Sequence, residues 1–199
     1  MALPGIIANH LLPLGALAPT GPAPQATAAQ APPSGGATAV SLPFEMQQQE
    51  QTNWCWAACG VSVERFYSGS ATWSRQCDLA SQELGLTCCP AGSNPACNVY
   101  GYLDRALTRV GHFHTWAPGP AAPAVIQGEL ANNRPLGVRI AWTRGGAHFV
   151  FLSGYYPTAA GDFVTVEDPF FAESTLPLAS FPAAYQGTGS WTHTYWTQP

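Results

Sequence analysis

The sequence predicts an α+β fold in which a helical half precedes a half built from antiparallel strands. Between Cys55 and Asn133 apolar residues recur at helical spacing, and the segments stop at Gly85 and Gly111. From Leu136 onward the period becomes two, with Leu136, Val138, Ile140 and Trp142 alternating along one run. Helices grouped first and strands grouped second is the α+β order, whereas regular alternation would predict a parallel sheet.

Residues 1–42 stand apart as an Ala/Pro/Gly-rich leader, pro-segment or linker. Within it "GIIANHLLPLGALA" ends in Ala16-Leu17-Ala18 and resembles the core and cleavage site of a secretory signal. The basic start of such a signal is missing, and Pro13 interrupts the run. Residues 43–199 are long enough for one domain, and 46% hydrophobic residues with seven Trp supply a core.

In that body "NWCWAACGVSVERFY" predicts a helix over Cys55–Tyr67, capped by Thr52 or Asn53, with Ala57, Ala58, Val61 and Phe66 turned inward. "SRQCDLASQEL" gives a second helix, and the turn-rich "TCCPAGSNPACN" follows. In "VYGYLDRALTRVG", Leu103, Leu107 and Val110 share a helical face. "PAVIQGELANN" offers one more helix. The strands are "PLGVRIAW", then "AHFVFLSGYY" after a "TRGG" turn, then "GDFVTVEDP", and last "SWTHTYW".

Net charge is −4, only 9% of residues are charged and no basic run exists, which argues against a nucleic-acid partner. No apolar stretch is long enough to span a bilayer, so no membrane role is expected. Six cysteines favour an oxidising compartment. If one is a working thiol, at most two bridges form among Cys59, Cys77, Cys88, Cys89 and Cys97, with connectivity open. Bridges are expected rather than zinc, because adjacent Cys88-Cys89 forms no zinc knuckle.

Cys55 sits where a polar loop enters a helix. Unpaired N–H groups there stabilise an anion, so a thiol at that point can serve as a nucleophile. A buried inert thiol is the competing reading, and position alone does not decide. A thiolate also needs an imidazole to hold and then donate a proton. Of five histidines, His10 is in the leader, His112 and His114 are expected at the surface, and His193 lacks an obvious partner. His148 opens a strand directly after the flexible turn, which presents its side chain at a sheet edge. Asp168 ends the next strand on the face of Val164 and Val166, where it can fix the ring. Taken alone it would be a turn-forming Asp before Pro169. A second oxyanion donor beside the Cys55 N–H could come from Gln47, Gln48, Gln49 or Gln51, among which spacing does not choose.

Together "QEQTNWCWAAC", "GGAHFVFLSGY" and "VEDPF" resemble the papain-like cysteine peptidases, and the compact bacterial branch with the plant-pathogen avirulence proteases most closely. The bacteriocin-leader peptidases and staphopains are more distantly similar. The resemblance covers most of residues 43–196 and includes the Cys-rich piece before the third helix. It implies a helical lobe packed on a β-barrel-like lobe, with the site in the cleft between them. It makes Cys55 the nucleophile, His148 the base and acid, Asp168 the orienting residue and Gln49 the oxyanion donor, six positions before Cys55. A polypeptide substrate, no metal or organic cofactor, a monomer, and a secreted or delivered protein are the expectations that follow. The same triad would also serve an amidase, isopeptidase or acyltransferase, and the fold could persist in a non-catalytic binding module. Trp54 and Trp56 are expected to wall the cleft, core packing being an equally simple role for Trp56.

Overall fold

The computed structural model describes residues 38–69 and 75–199. Residues 1–37 of the expected leader, with the signal-like run and His10, lie outside the described residues, while its last residues join the fold: Val40–Ser41 forms a strand and Leu42 is buried.

Four helices and most of a sheet follow the sequence pattern. α1 spans Cys55–Ser68, α2 Gln76–Leu84, α3 Leu103–Val110 and α4 Pro123–Ala131. Gly69, Gly85 and Gly111 each take the left-handed conformation that ends a helix. Ahead of them β1 (Val40–Ser41) pairs antiparallel with β4 (Ala147–Thr158). The other strands are β2 (Phe113–Pro118), β3 (Leu136–Trp142), β5 (Gly161–Glu167), β6 (Ser174–Pro177) and β7 (Gly189–Thr197). A short α5 (Phe181–Ala184) precedes β7. The periodicity gives no sign of β2 or β6, because both are short sheet-edge strands with largely exposed side chains.

The seven strands form one antiparallel sheet in the order β2-β7-β3-β4-β5-β6. β1 extends the β3 edge of β4, pairing Val40 with Tyr155 beyond the point where Leu136 meets Leu152. The helical layer covers the sheet closely. A Cβ on Gly137 would lie 2.9 Å from Leu103 and 3.1 Å from Phe151, so no larger residue fits where α3 crosses β3. Gly60 does the same for α1, where a Cβ would meet Leu79 at 2.8 Å. Ala57, Ala58 and Val61 are fully buried, as the small-residue face of α1 suggests.

Three local expectations are corrected. Neither Thr52 nor Asn53 caps α1: the cap position is Trp54, and no side chain bonds the first turn. Trp54 and Trp56 are fully buried rather than walls of a cleft, and their indole N–H groups donate to Cys97 O at 2.7 Å and Val99 O at 3.1 Å. His112 is buried too, with Nε2 2.8 Å from the Glu64 carboxylate and Nδ1 2.9 Å from Gln198 O. The polar sequence around His112 hides this, because its acidic partner lies 48 residues away on α1.

Two disulfides join Cys77 to Cys89 and Cys88 to Cys97, while Cys55 and Cys59 remain free thiols.

Candidate active site

The site is assembled at the N-terminus of α1. An uncapped first turn forgoes about 1 kcal/mol of helix stability, and its N–H groups remain available to an anion. Cys55 opens that turn and keeps 5% of its surface.

His148 comes from the start of β4, opposite Ile140 of β3. Nε2 lies 2.9 Å from Asp168 Oδ1, which leaves Nδ1 for the Cys55 thiol. Burial alone would depress the His148 pKa. The Asp168 charge and hydrogen bond, with the Cys55 side chain adding to them, outweigh burial and push it up to about 10. These partners thus favour the charged ring over the neutral one.

Asp168 follows directly on β5. Its side chain is wholly buried yet bonded: the N–H groups of Phe170 and Phe171 donate to Oδ1 at 2.6 and 2.9 Å, and the Tyr185 hydroxyl donates to Oδ2 at 2.6 Å. Burial would raise its pKa, but His148, Tyr185 and the backbone donors hold it below the ordinary carboxylate value. The Pro169 turn that could have been its only purpose thus serves the carboxylate as well.

Aromatic rings enclose the pair. Trp142 stacks on His148 with centroids 6.1 Å apart and on Tyr185 at 6.3 Å, and Phe171 meets the imidazole edge-on. They keep water from the Nε2–Oδ1 bond, which a low local dielectric strengthens. Trp142, Phe171 and Tyr185 escape sequence reading because nothing in "FPAAYQG" or the end of β3 signals a hydrogen bond or ring contact to a distant loop.

Gln49 lies between the two halves of the site. Its backbone N–H donates to Pro169 O at 2.8 Å, and its Nε2 donates to Gln51 O and Thr52 O, each at 2.9 Å. Its Oε1 is buried without a partner among the described residues. The structure thus brings Cys55, His148 and Asp168 into one line, with Gln49 on the loop beside them. His114 is exposed on β2 and His193 pairs with Thr192 on β7, outside this line. A cavity of about 500 Å3, lined by Trp116, Arg134 and Trp196 among others, opens at the β2 edge and includes none of these four side chains.

A thiol, an imidazole and a buried carboxylate in series, at a helix terminus, can carry out acyl transfer through a covalent thioester. The family model described as papain-like cysteine protease AvrRpt2 matches residues 37–186. The chain belongs to that family. Its members' fold also appears among solved structures: a digestive procathepsin L 3 of Tenebrio molitor larval midgut aligns with TM-score 0.53 at 11% identity, covering 81% of this chain and 70% of that one. A double glycine motif protease from an AMS/PCAT transporter, solved with its leader peptide, aligns with TM-score 0.46 at 16% identity over 82% and 97% of the two chains. A structure concerned with the mite allergens Blo t 1 and Der p 1 gives TM-score 0.49 at 12% identity, over 77% and 67%. No curated protein sequence matches. This AvrRpt2-family chain is a cysteine peptidase with the papain-like α+β fold, as the sequence resemblance implied.

Proposed function

We propose that the protein hydrolyses peptide bonds with Cys55 as nucleophile, His148 as general acid and base, Asp168 as orienting residue and Gln49 as an oxyanion donor. The observation carrying this reading is the continuous line from the Cys55 thiol through the His148 ring to the Asp168 carboxylate, buried at an uncapped helix start. In the first half-reaction the Cys55 thiolate attacks the scissile carbonyl carbon. The tetrahedral oxyanion is held by the Cys55 N–H and by Gln49 Nε2, which turns from the carbonyls of Gln51 and Thr52 to reach it. His148 passes its Nδ1 proton to the leaving amine, the C–N bond breaks, and a thioester remains. Neutral His148 then takes a proton from water, the hydroxide oxygen attacks the thioester, and release of the acid restores the thiolate–imidazolium pair.

Two disulfides between Cys77 and Cys97 support work in an oxidising compartment, so we place the enzyme outside the cytosol as a secreted or delivered peptidase, with the Ala/Pro/Gly-rich residues ahead of β1 as the leader to a catalytic body that includes Val40–Ser41. The deciding experiment is stoichiometric alkylation under non-reducing conditions. One equivalent of thiol reagent is expected on Cys55 with complete loss of hydrolysis of a fluorogenic peptide pool. Full turnover after Cys55 is blocked would overturn the assignment, and turnover of isopeptides or muropeptides alone would move the substrate class.

A further inference from the structure

The loop carrying Gln49 and leading to Cys55 has no strand or helix of its own between Leu42 and Trp54. Its backbone groups must nonetheless be satisfied, and a catalytic group must be held to within a fraction of an ångström. Two side chains outside the reacting set supply the support. Gln76, 1% exposed at the start of α2, accepts from Glu50 N–H at 2.9 Å and donates to Gln48 O at 2.8 Å. It thereby grips the chain on both sides of Gln49. Asn98 accepts from Asn53 N–H at 3.0 Å through Oδ1, donates to Thr52 Oγ1 at 2.9 Å, and accepts from Asn53 Nδ2 through its carbonyl. The adjoining Cys97 carbonyl receives the Trp54 indole.

These two residues are joined covalently. Gln76 precedes Cys77, which is bridged to Cys89; Cys89 follows Cys88, which is bridged to Cys97; and Asn98 follows Cys97. Adjacent cysteines thus connect two polar grips, one on each side of the Gln49–Trp54 turn. The outer ends of the two bridges, Cys77 and Cys97, each lie one residue from a side chain that holds this loop.

We infer that Gln76 and Asn98 are positioning residues for the oxyanion donor and the thiol, and that the Cys77–Cys89 and Cys88–Cys97 bridges set the spacing between them. The inference rests on the peptidase reading, since it concerns the same loop. Neither residue touches the reacting atoms; both act through the backbone around Gln49 and Asn53.

The test compares full-length parent, Gln76→Leu, Asn98→Ala, the milder Asn98→Asp, and the Cys88→Ser/Cys97→Ser pair, all without reductant. Two quantities are read: kcat per alkylatable Cys55, and the second-order rate of Cys55 alkylation. A misplacement of about 1 Å costs on the order of 100-fold, so kcat per titrated thiol is expected to fall about 10- to 100-fold in the first two variants. KM should stay within about 2-fold and the alkylation rate should drop several-fold, because the affected interactions concern the thiol and the transition state rather than substrate binding. Asn98→Asp keeps the acceptor for Asn53 N–H and is expected to recover most of the loss. Severing the Cys88–Cys97 bridge should resemble Asn98→Ala. If the variants lose only alkylatable fraction or thermal midpoint, with both rate constants equal to the parent's, the residues merely stabilise the fold and the inference is wrong. If the other variants do not fold, Asn98→Asp decides: loss of its donor to Thr52 is expected to leave a residual deficit of about 2- to 3-fold in both rate constants, and parent values in both would overturn the inference. A parent that alkylates at Cys55 but hydrolyses no peptide would refute the peptidase reading, while the alkylation rates would still report on the bracket.

Discussion

Two buried histidines each hold a carboxylate through Nε2 in this protein, and only one of them faces a thiol. His148 and Asp168 lie 2.9 Å apart, His112 and Glu64 2.8 Å apart. The rings differ in what meets Nδ1. For His112 it is the Gln198 carbonyl, which accepts a hydrogen bond, so that the ring ties the C-terminal segment to Glu64 of α1. For His148 it is a side chain that can exchange the proton and form a bond to carbon. A histidine–acid pair is therefore a common buried construction, and the group at the other nitrogen determines whether it stores stability or chemistry. Both pairs involve α1, with Cys55 at its first residue and Glu64 in its last half.

Removing each ring in turn should separate the two roles by the largest margin. His148→Ala is expected to lower kcat by at least about 10^3-fold, since loss of the proton-transfer partner in a nucleophile–base pair has consequences of that order. Its fold should survive. His112→Ala leaves Glu64 buried with the Ser68 hydroxyl on Oε1 but without the imidazole on Oε2, and breaking such a pair costs about 3 kcal/mol. In a body of this size that lowers Tm by roughly 6–12 °C, while kcat per titrated thiol stays within about 2-fold. Turnover and thermal melts on the same preparations check both, and equal losses of turnover would collapse the distinction.

A smaller effect follows from the charge on Asp168. Asp168→Asn keeps an oxygen acceptor for Nε2 but removes the negative charge that opposes burial, so the His148 pKa should fall from about 10. Activity that needs the imidazolium is lost as pH rises through that value, and the alkaline limb of kcat/KM should move toward neutrality by a unit or more. We expect about a 10-fold loss at neutral pH. The stability linkage has the same sign. A raised histidine pKa contributes stability that is complete below the ordinary value of 6.5 and is lost as pH rises to about 10. Thermal midpoints of the parent should fall across that window more steeply than those of the variant. Glu167, whose carboxyl is pushed up to about 7 by burial despite its bond from Ser153, titrates in both proteins and cancels in the comparison. An unchanged alkaline limb would mean that another group sets it.

The same comparison shows what a sequence carries and what it does not. Cys55 is legible because a helix start is encoded locally, in a polar loop followed by small residues. His148 and Asp168 are legible because strand alternation and a hairpin connection place them on neighbouring strands. His112 is misjudged as a surface residue because its burial depends on Glu64, 48 residues away, and on the chain end. Tyr185, Gln76 and Asn98 are invisible for the same reason: each hydrogen bond they make to the site is non-local, and no periodicity announces it. The edge strands β2 and β6 give no sequence signal because exposure removes the alternation by which a strand is recognised. The fold class, and the residues that the structure draws together at the head of α1, are thus suggested by short-range pattern and by the family resemblance, whereas the support around them required coordinates.

The least effect is expected one helical turn below the nucleophile. Cys59 is fully buried, and its thiol donates to Phe149 O at 3.5 Å. Burial first, then the nearby Cys55 and Asp168, push its pKa well above the ordinary thiol value. Its anion is therefore disfavoured, and full burial hides the sulfur from the reagent. Two free thiols a turn apart on one helix should then behave oppositely: native alkylation followed by mass mapping should modify Cys55 alone, with the second equivalent taken up only on unfolding. Cys59→Ala should leave kcat within about 2-fold and cost about 1 kcal/mol for the lost packing of one sulfur. Rapid native labelling at Cys59, or a large fall in turnover in Cys59→Ala, would mean that reactivity on α1 is not confined to its first residue, and that burial and the open helix end do not divide the two thiols as argued.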